Sequence, residues 1–526
     1  MNLTLTPTRF KKRVESLFAN KIGIVDGDVR LTYGEYGKRC DRLSNALATL
    51  GVKRGDRVAW LGYNSHELLT AYYGVVQMGA VLLPLNIRLT PQEIGFILND
   101  SESVALFYNS DFLPIVEAIR SQTPTVKYFI PLESGAGDAE DYETLIQAAG
   151  ADFTPPDDIK DDDLAELFYT SGTTANPKGV MMTHRILYMH AMQVIAGLGV
   201  KESIVQLHTI PLFHVNGWGT PHTLTCMGAR HVVMKKFDTT EVLELIQRER
   251  VTNFAMVPTM ATALINHPKI KEYDLSSLDY VAIGGAASPV ELMRDVEAKL
   301  GCRCYGGYGL TETTPVLTQS FIKDHLTDLS DEERWRRQAM AGYPMPGVEI
   351  DIFDADDKSV AHDGQSVGEV VVRADNVMAG YWKQPEDTAN VMRGGWLHTG
   401  DMAVVDEEGY FLIVDRKKDI IISGGENIAS IEVEKAVYSH ASVFECAVVA
   451  VPDDRWGEVP KALVVLKPGE SLTEQELIEH CRTRLPGFKV PKSIEFFDSL
   501  PKGGTGKILK KELREKYWQG YTRRVH

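Results

Sequence analysis

The chain has 526 residues, of which 44% are hydrophobic and 24% charged, an ordinary globular composition and too much chain for one simple core. The formal net charge of −16 argues against sequence-independent binding of nucleic acid, which needs a basic surface. ATP or coenzyme A stays open, because each needs only a locally positive site.

Six cysteines, at positions 40, 226, 302, 304, 446 and 481, are scattered along the chain and fit reduced thiols in a cytoplasmic protein better than a disulfide framework. Cys302-Arg303-Cys304 lacks the second pair that a zinc site requires. Met1 to Asn20 carries Lys11-Lys12-Arg13 and no apolar core long enough for a signal peptide, so export is not expected. The longest apolar stretch, Val75 to Ile87, is broken by Gln77, Gly79 and Pro84 and falls short of the roughly 20 residues that span a bilayer. No transmembrane segment is expected, and membrane contact would be peripheral.

From about Ala59 to Ile352, short β-branched or aromatic runs alternate with amphipathic stretches, the pattern of βα units around a largely parallel sheet. The run Leu164 to Tyr169 predicts a short buried strand. It leads into Thr170-Ser171-Gly172-Thr173-Thr174-Ala175-Asn176-Pro177-Lys178-Gly179. Hydroxyls, glycines and one lysine supply donors for an anion and deny the segment a fixed helical or extended shape. Open α/β sheets place ligands at such strand ends. The spacing is not that of a Walker A loop, and the plain alternative is a solvated turn.

Further on, Tyr280 to Ile283 predicts a buried strand, and Gly284-Gly285-Ala286-Ala287 a small-residue turn against which a flat base could lie. Ser288-Pro289-Val290-Glu291 reads as a capping box with proline at the first helical position. The helix that follows shows Val290, Met293, Val296 and Leu300 on one face and stops at Gly301. Glu312 follows the strand-like Arg303-Cys304-Tyr305 and glycines 306, 307 and 309. A carboxylate there suits Mg²⁺ bridging nucleotide phosphates or, more plainly, a helix cap.

From about Gly364 to Val414 the texture turns to short strands and tight turns, with hairpin signals at Gly394-Gly395 and Glu407-Glu408-Gly409. A boundary is placed at Asp415-Arg416-Lys417-Lys418-Asp419. Beyond it an α+β pattern includes a second capping box, Thr473-Glu474-Gln475-Glu476, opening a helix that ends before Pro486. Lys507, in Gly503-Gly504-Thr505-Gly506-Lys507, sits on a glycine-flanked loop that can reach into a site; alone, it would be read as one more solvated lysine.

Taken together and in order, the phosphate-loop segment, Phe213-His214-Val215-Asn216-Gly217-Trp218, Tyr308-Gly309-Leu310-Thr311-Glu312-Thr313, Thr399-Gly400-Asp401, the segment from Asp415 to Asp419 and the C-terminal lysine motif resemble the adenylate-forming superfamily of acyl-CoA synthetases. The resemblance spans nearly the whole chain and is greatest to medium- and long-chain fatty acid–CoA ligases. It implies an α/β fold, with a large multi-sheet N-terminal domain at 1–415 carrying a β-rich subdomain, a hinge at 416–419 and a small mobile α+β C-terminal lid at 420–526. The expected reaction joins a carboxylic acid, ATP and coenzyme A into acyl-CoA, AMP and pyrophosphate.

By the same resemblance, ATP or AMP is expected at Thr170, Ser171, Gly172, Thr173, Thr174, Lys178, Gly285, Ala286, Ala287, Tyr308, Gly309, Asp401 and Arg416. Lys507, Thr311, Glu312 and His214 are the expected catalytic set, with Glu312 on Mg²⁺. His214, Trp218 and Gly307 would wall the acid pocket, Lys418 would be the hinge, and Gly424 and Gly425 would line the passage for coenzyme A. The chain departs from the family at Ala175, where a third glycine is usual, and at Asn427, where some long-chain relatives carry tryptophan. An aromatic or short sulfur-containing acid, an adenylation enzyme loading a carrier protein, and a homodimer remain open.

Overall fold

The computed structural model describes residues 3–133, 140–170, 177–326, 328–417, 419–424, 426–453, 455–502 and 508–519. Among them the strands form four sheets. The βα alternation builds two of these rather than one. The nine-stranded sheet has a parallel centre, in which Val205–His208, Asn253–Met256, Tyr280–Gly284 and Arg303–Gly309 run side by side. Antiparallel strands close both of its edges. The seven-stranded sheet has a parallel core that includes Arg57–Leu61 and Val81–Pro84, with the antiparallel hairpin Leu164–Thr170/Lys178–Thr183 near one edge and the parallel strand Tyr128–Pro131 at the other.

Runs such as Val81–Pro84 and Tyr280–Gly284 are strands because they are short and apolar on both faces, as parallel strands covered by helices must be. Helices such as His184–Leu198 and Val215–Met227 lie between the sheets, and one core joins them through Trp60, Tyr72, Phe168 and Leu224, each at most 2% exposed.

The β-rich stretch is a five-stranded antiparallel sheet in which Gly368–Ala374 and Trp396–Val405 pair centrally. Its tightest turn is Gly394-Gly395: Arg393 pairs with Trp396 across two residues at φ 60° and 81°. That geometry favours glycine, which takes a positive φ without a steric penalty. The helix Pro385–Val391 interrupts this stretch and was not expected.

The small C-terminal domain has its own sheet, built on the long pair Val443–Asp453/Gly457–Leu466, and its own core around Val448, Val464 and Leu477. The capping box at Thr473 opens the helix Glu474–Arg482 as expected. The one expected at Ser288 does not form. Pro289 is extended at φ −65°, ψ 148°, so the helix Val290–Leu300 starts one residue later with no side-chain cap, and Ser288 is buried instead. The same helix ends at Gly301, at φ 69°, as expected. No helix among the described residues is long and apolar enough to cross a membrane.

Candidate active site

A single cavity of about 1980 Å³ opens where the carboxyl ends of the nine-stranded sheet meet the Thr170/Lys178 hairpin, the five-stranded sheet and the C-terminal domain. It collects most of the residues singled out from sequence. Thr170, Lys178, His214, Trp218, Gly285, Ala286, Ala287, Gly307, Tyr308, Gly309, Thr311, Glu312, Asp401 and Arg416 all line it. Ser171, Gly172, Thr173, Thr174, Lys418, Gly425 and Lys507 lie outside the described residues, as do Ala175 and the side chain of Asn427. Gly424 does not line the cavity: it turns at φ 61° beneath Trp456, whose ring leaves no room for a Cβ.

On one side, strand register sets Asp401 opposite Arg416, with Arg416 Nε 3.4 Å from Asp401 Oδ1. The Tyr308 hydroxyl donates to Asp401 Oδ2 at 2.8 Å. Burial and the adjacent Asp401 carboxylate hold the Tyr308 phenol well above its ordinary range, so it stays a donor. The result is a nearly buried carboxylate between a phenol and a guanidinium, an arrangement able to accept a vicinal diol.

On the opposite side, Lys178 leaves the hairpin root directly opposite Thr170. Its Nζ lies 2.7 Å from Asp387 Oδ2 and 5.1 Å from the centre of the Tyr381 ring. Tyr381 in turn donates to Glu312 Oε1 at 2.9 Å. The short 3₁₀ turn Thr311–Thr313 that carries Glu312 is pinned by Met378 N to Glu312 O at 2.8 Å and by Asn376 Nδ2 to Thr313 O at 2.7 Å. Lys178 and the Glu312 carboxylate are thus joined through one tyrosine.

The segment carrying His214 and Trp218 has unusual backbone. Val215, Asn216, Gly217, Trp218 and Gly219 are all left-handed, at φ 43°, 41°, 54°, 64° and 80°. Val215 and Trp218 each cost roughly 1–2 kcal/mol there, so the surroundings must hold the turn in place. Asn216 Nδ2 donates to Glu166 Oε2 at 2.9 Å, and His222 Nε2 lies 2.6 Å from Glu166 Oε1. Glu166 is fully buried, on the strand that leads to the phosphate segment. A Cβ on Gly219 would come within 2.2 Å of the His190 ring. The turn holds Trp218 half-buried over the sheet, its ring edge 3.1 Å from where a Gly284 Cβ would stand.

On the C-terminal domain, Lys502 and Ile508 pair in an antiparallel bridge across the 503–507 segment, and both line the cavity. Lys502 is ion-paired with Glu445.

Tyr381, Asp387, Glu166 and Asn376 were not identified from sequence. Gly380-Tyr381-Trp382 reads as a turn and short strand, and nothing local says that its phenol reaches residue 312.

Residues 10–382 match the AMP-binding enzyme family, and residues 432–507 match the AMP-binding enzyme C-terminal domain. The chain belongs to the AMP-binding enzyme family. A long-chain-fatty-acid–CoA ligase of Thermus thermophilus is 39% identical over 97% of this chain and 95% of the relative. A feruloyl-CoA synthase of an Amycolatopsis species is also 39% identical, over 93% and 95%. Among solved structures, an anthranilate CoA ligase in complex with anthranoyl-AMP superposes with a TM-score of 0.90 at 28% identity, covering 98% of each chain. As an AMP-binding enzyme the chain is an acid–thiol ligase that uses ATP and coenzyme A as substrates.

Proposed function

We propose that the chain couples a medium- or long-chain fatty acid to coenzyme A through an acyl adenylate. The acid carboxylate attacks the α-phosphorus of ATP and expels pyrophosphate; the coenzyme A thiol then attacks the acyl carbon, loses its proton and expels AMP. The observation that carries the acid class is the apolar part of the cavity lining, where Trp218 stands with Val194 and Leu198 of the helix His184–Leu198 and Val316 of the nine-stranded sheet.

In the first step, Asp401 and Arg416 receive the ribose, with Tyr308 and the Gly285-Ala286-Ala287 turn on either side of the base. Thr170 to Thr174, Lys178 and Thr311 stabilise charge on the phosphates, and Lys507 meets the charge that develops between carboxylate and α-phosphorus. His214 positions the carboxylate. Glu312 suits Mg²⁺, being an oxygen donor oriented by the Tyr381 hydroxyl beside the phosphate-binding hairpin. When bound, the ion neutralises phosphate charge.

The reading divides the chain into 1–415, a hinge at 416–419 and a lid at 420–526. Support for this division comes from the strand Phe411–Arg416, which closes the five-stranded sheet, and Ile421–Ser423, which opens the C-terminal one. A turn about Lys418 would withdraw Lys507 and bring Gly424 and Gly425 to the incoming thiol. Six free thiols support a cytoplasmic setting.

The test is a panel of fatty, aromatic and short acids with magnesium nucleotide, followed by release of AMP and pyrophosphate. Acid-dependent AMP with the best turnover on fatty acids is expected. ADP alone, or best turnover on an aromatic or short acid, would overturn the reading.

A further inference from the structure

Side chains two apart on a strand share a face, so the register of the nine-stranded sheet arranges one wall of the cavity, the slot wall, in rows. At the mouth Gly284 pairs with Gly307. One step inward Ala255, Ala282 and Tyr305 stand abreast, and one step further Gln206, Asn253 and Tyr280 do. All of these line the cavity. The wall is therefore almost bare near the nucleotide and polar at its inner end.

That inner end is built but incomplete. Tyr280 and Tyr305 are 6% and 5% exposed, and neither hydroxyl meets a hydrogen-bond partner among the described residues. Burial pushes the Tyr280 phenol up to about 12, so it remains a donor. Beside it Asn253 Nδ2 donates to Gln206 Oε1 at 2.9 Å. Arg303, next in that row, is exposed and lies 2.6 Å from Asp279, so its charge is already matched. An apolar chain end arriving here would close off two hydroxyls without giving them a partner, which is costly. A neutral oxygen would pair with them.

We propose that the inner end of the slot is a subsite for a neutral hydroxyl or keto oxygen, making the preferred acid a medium-chain acid oxygenated at or near its far end. From the row of Gly284 to the row of Tyr280 is four residues, roughly 13 Å at the usual strand rise. That length accommodates about ten carbons of an extended chain. The inference rests on the ligase reading and specifies its substrate.

The test compares kcat/KM for decanoate and for its ω-hydroxy counterpart in the full chain and in Tyr280→Phe, Tyr305→Phe and the double variant. KM for ATP serves as the check that the nucleotide site is intact. The unaltered chain should prefer the hydroxy acid by about tenfold or more, since a site built to bond a hydroxyl rejects the analogue lacking it. The double variant should bring the ratio close to one. A preference for decanoate, or a hydroxy preference that survives both substitutions, would overturn the subsite. AMP formed only with much shorter acids would also overturn it and leave acid–CoA ligation standing. AMP formed with no acid at all would bring down the ligase reading itself.

Discussion

The Tyr381 hydroxyl lies 2.9 Å from Glu312 Oε1, and the same ring lies 5.1 Å from Lys178 Nζ. One side chain therefore meets both the lysine at the root of the Leu164–Thr170/Lys178–Thr183 hairpin and the carboxylate proposed to hold Mg²⁺. Tyr381→Phe keeps the ring and deletes the bond to Glu312, a charged-acceptor bond of about 1.5–3 kcal/mol. We expect kcat/KM for ATP to fall at least about tenfold and half-saturating Mg²⁺ to rise several-fold. Pyrophosphate release measured against Mg²⁺ concentration checks this, and an unchanged profile would mean Glu312 is oriented by other groups.

Lys507→Ala should separate the two half-reactions. Adenylate formation should drop by about 10²–10³, the usual loss when one charge-stabilising donor is removed. Thioester formation from supplied acyl adenylate should persist. Equal losses in both halves would contradict the assigned role.

Trp218→Ala would remove the indole from above Gly284, where it stands 3.1 Å from the position of an absent Cβ. The profile across acids of different width and length should broaden while KM for ATP moves little. An unaltered acid profile would assign Trp218 to packing alone.

Stability should depend on pH through buried imidazoles. Burial lowers His184 to about 4, and His190 and His208 to about 3, from an ordinary value of 6.5. Because the folded-state values lie below the unfolded one, the unfolded chain binds protons that the folded chain refuses as pH drops below about 6.5. Stability is therefore greatest above that value and declines toward the folded-state values. For His184 alone the penalty is about 2 kcal/mol near pH 5. Neither of its ring nitrogens has a hydrogen-bond partner among the described residues. His184→Leu should therefore flatten the fall of the thermal midpoint between neutral pH and pH 5. Parallel curves for the two proteins would show that His184 does not titrate over this range.

Local patterns were the most legible. The strand before the phosphate segment, the Tyr280–Gly284 strand with its small-residue turn, the capping box at Thr473 and the Gly394-Gly395 hairpin all follow from short-range sterics and hydrogen bonding, which adjacent residues express directly. The box at Ser288 shows the limit of that reasoning. Its motif was complete, yet tertiary packing buried the serine and left the helix uncapped.

Features that depend on distant pairs were not legible. Glu166 sits in an apolar strand, and its partners Asn216 and His222 are 50 and 56 residues away. Tyr381 and Glu312 are 69 apart. The left-handed run from Val215 to Gly219 includes two residues, Val215 and Trp218, that ordinarily avoid that conformation. Only the fold, which brings Glu166 beneath it, makes the turn tenable.

The rows along Tyr280–Gly284 act as a ruler. Each two-residue step advances roughly 6.6 Å, the length of about five methylenes, and Ala282 marks the middle graduation. A bulkier side chain at Ala282 would shorten the longest chain admitted without touching the Tyr308–Asp401 contact, which lies on the neighbouring strand one residue beyond the Gly284–Gly307 pair. Substrate length and nucleotide handling are thereby separately tunable, so specificity can drift across this scaffold while the adenylating machinery stays intact.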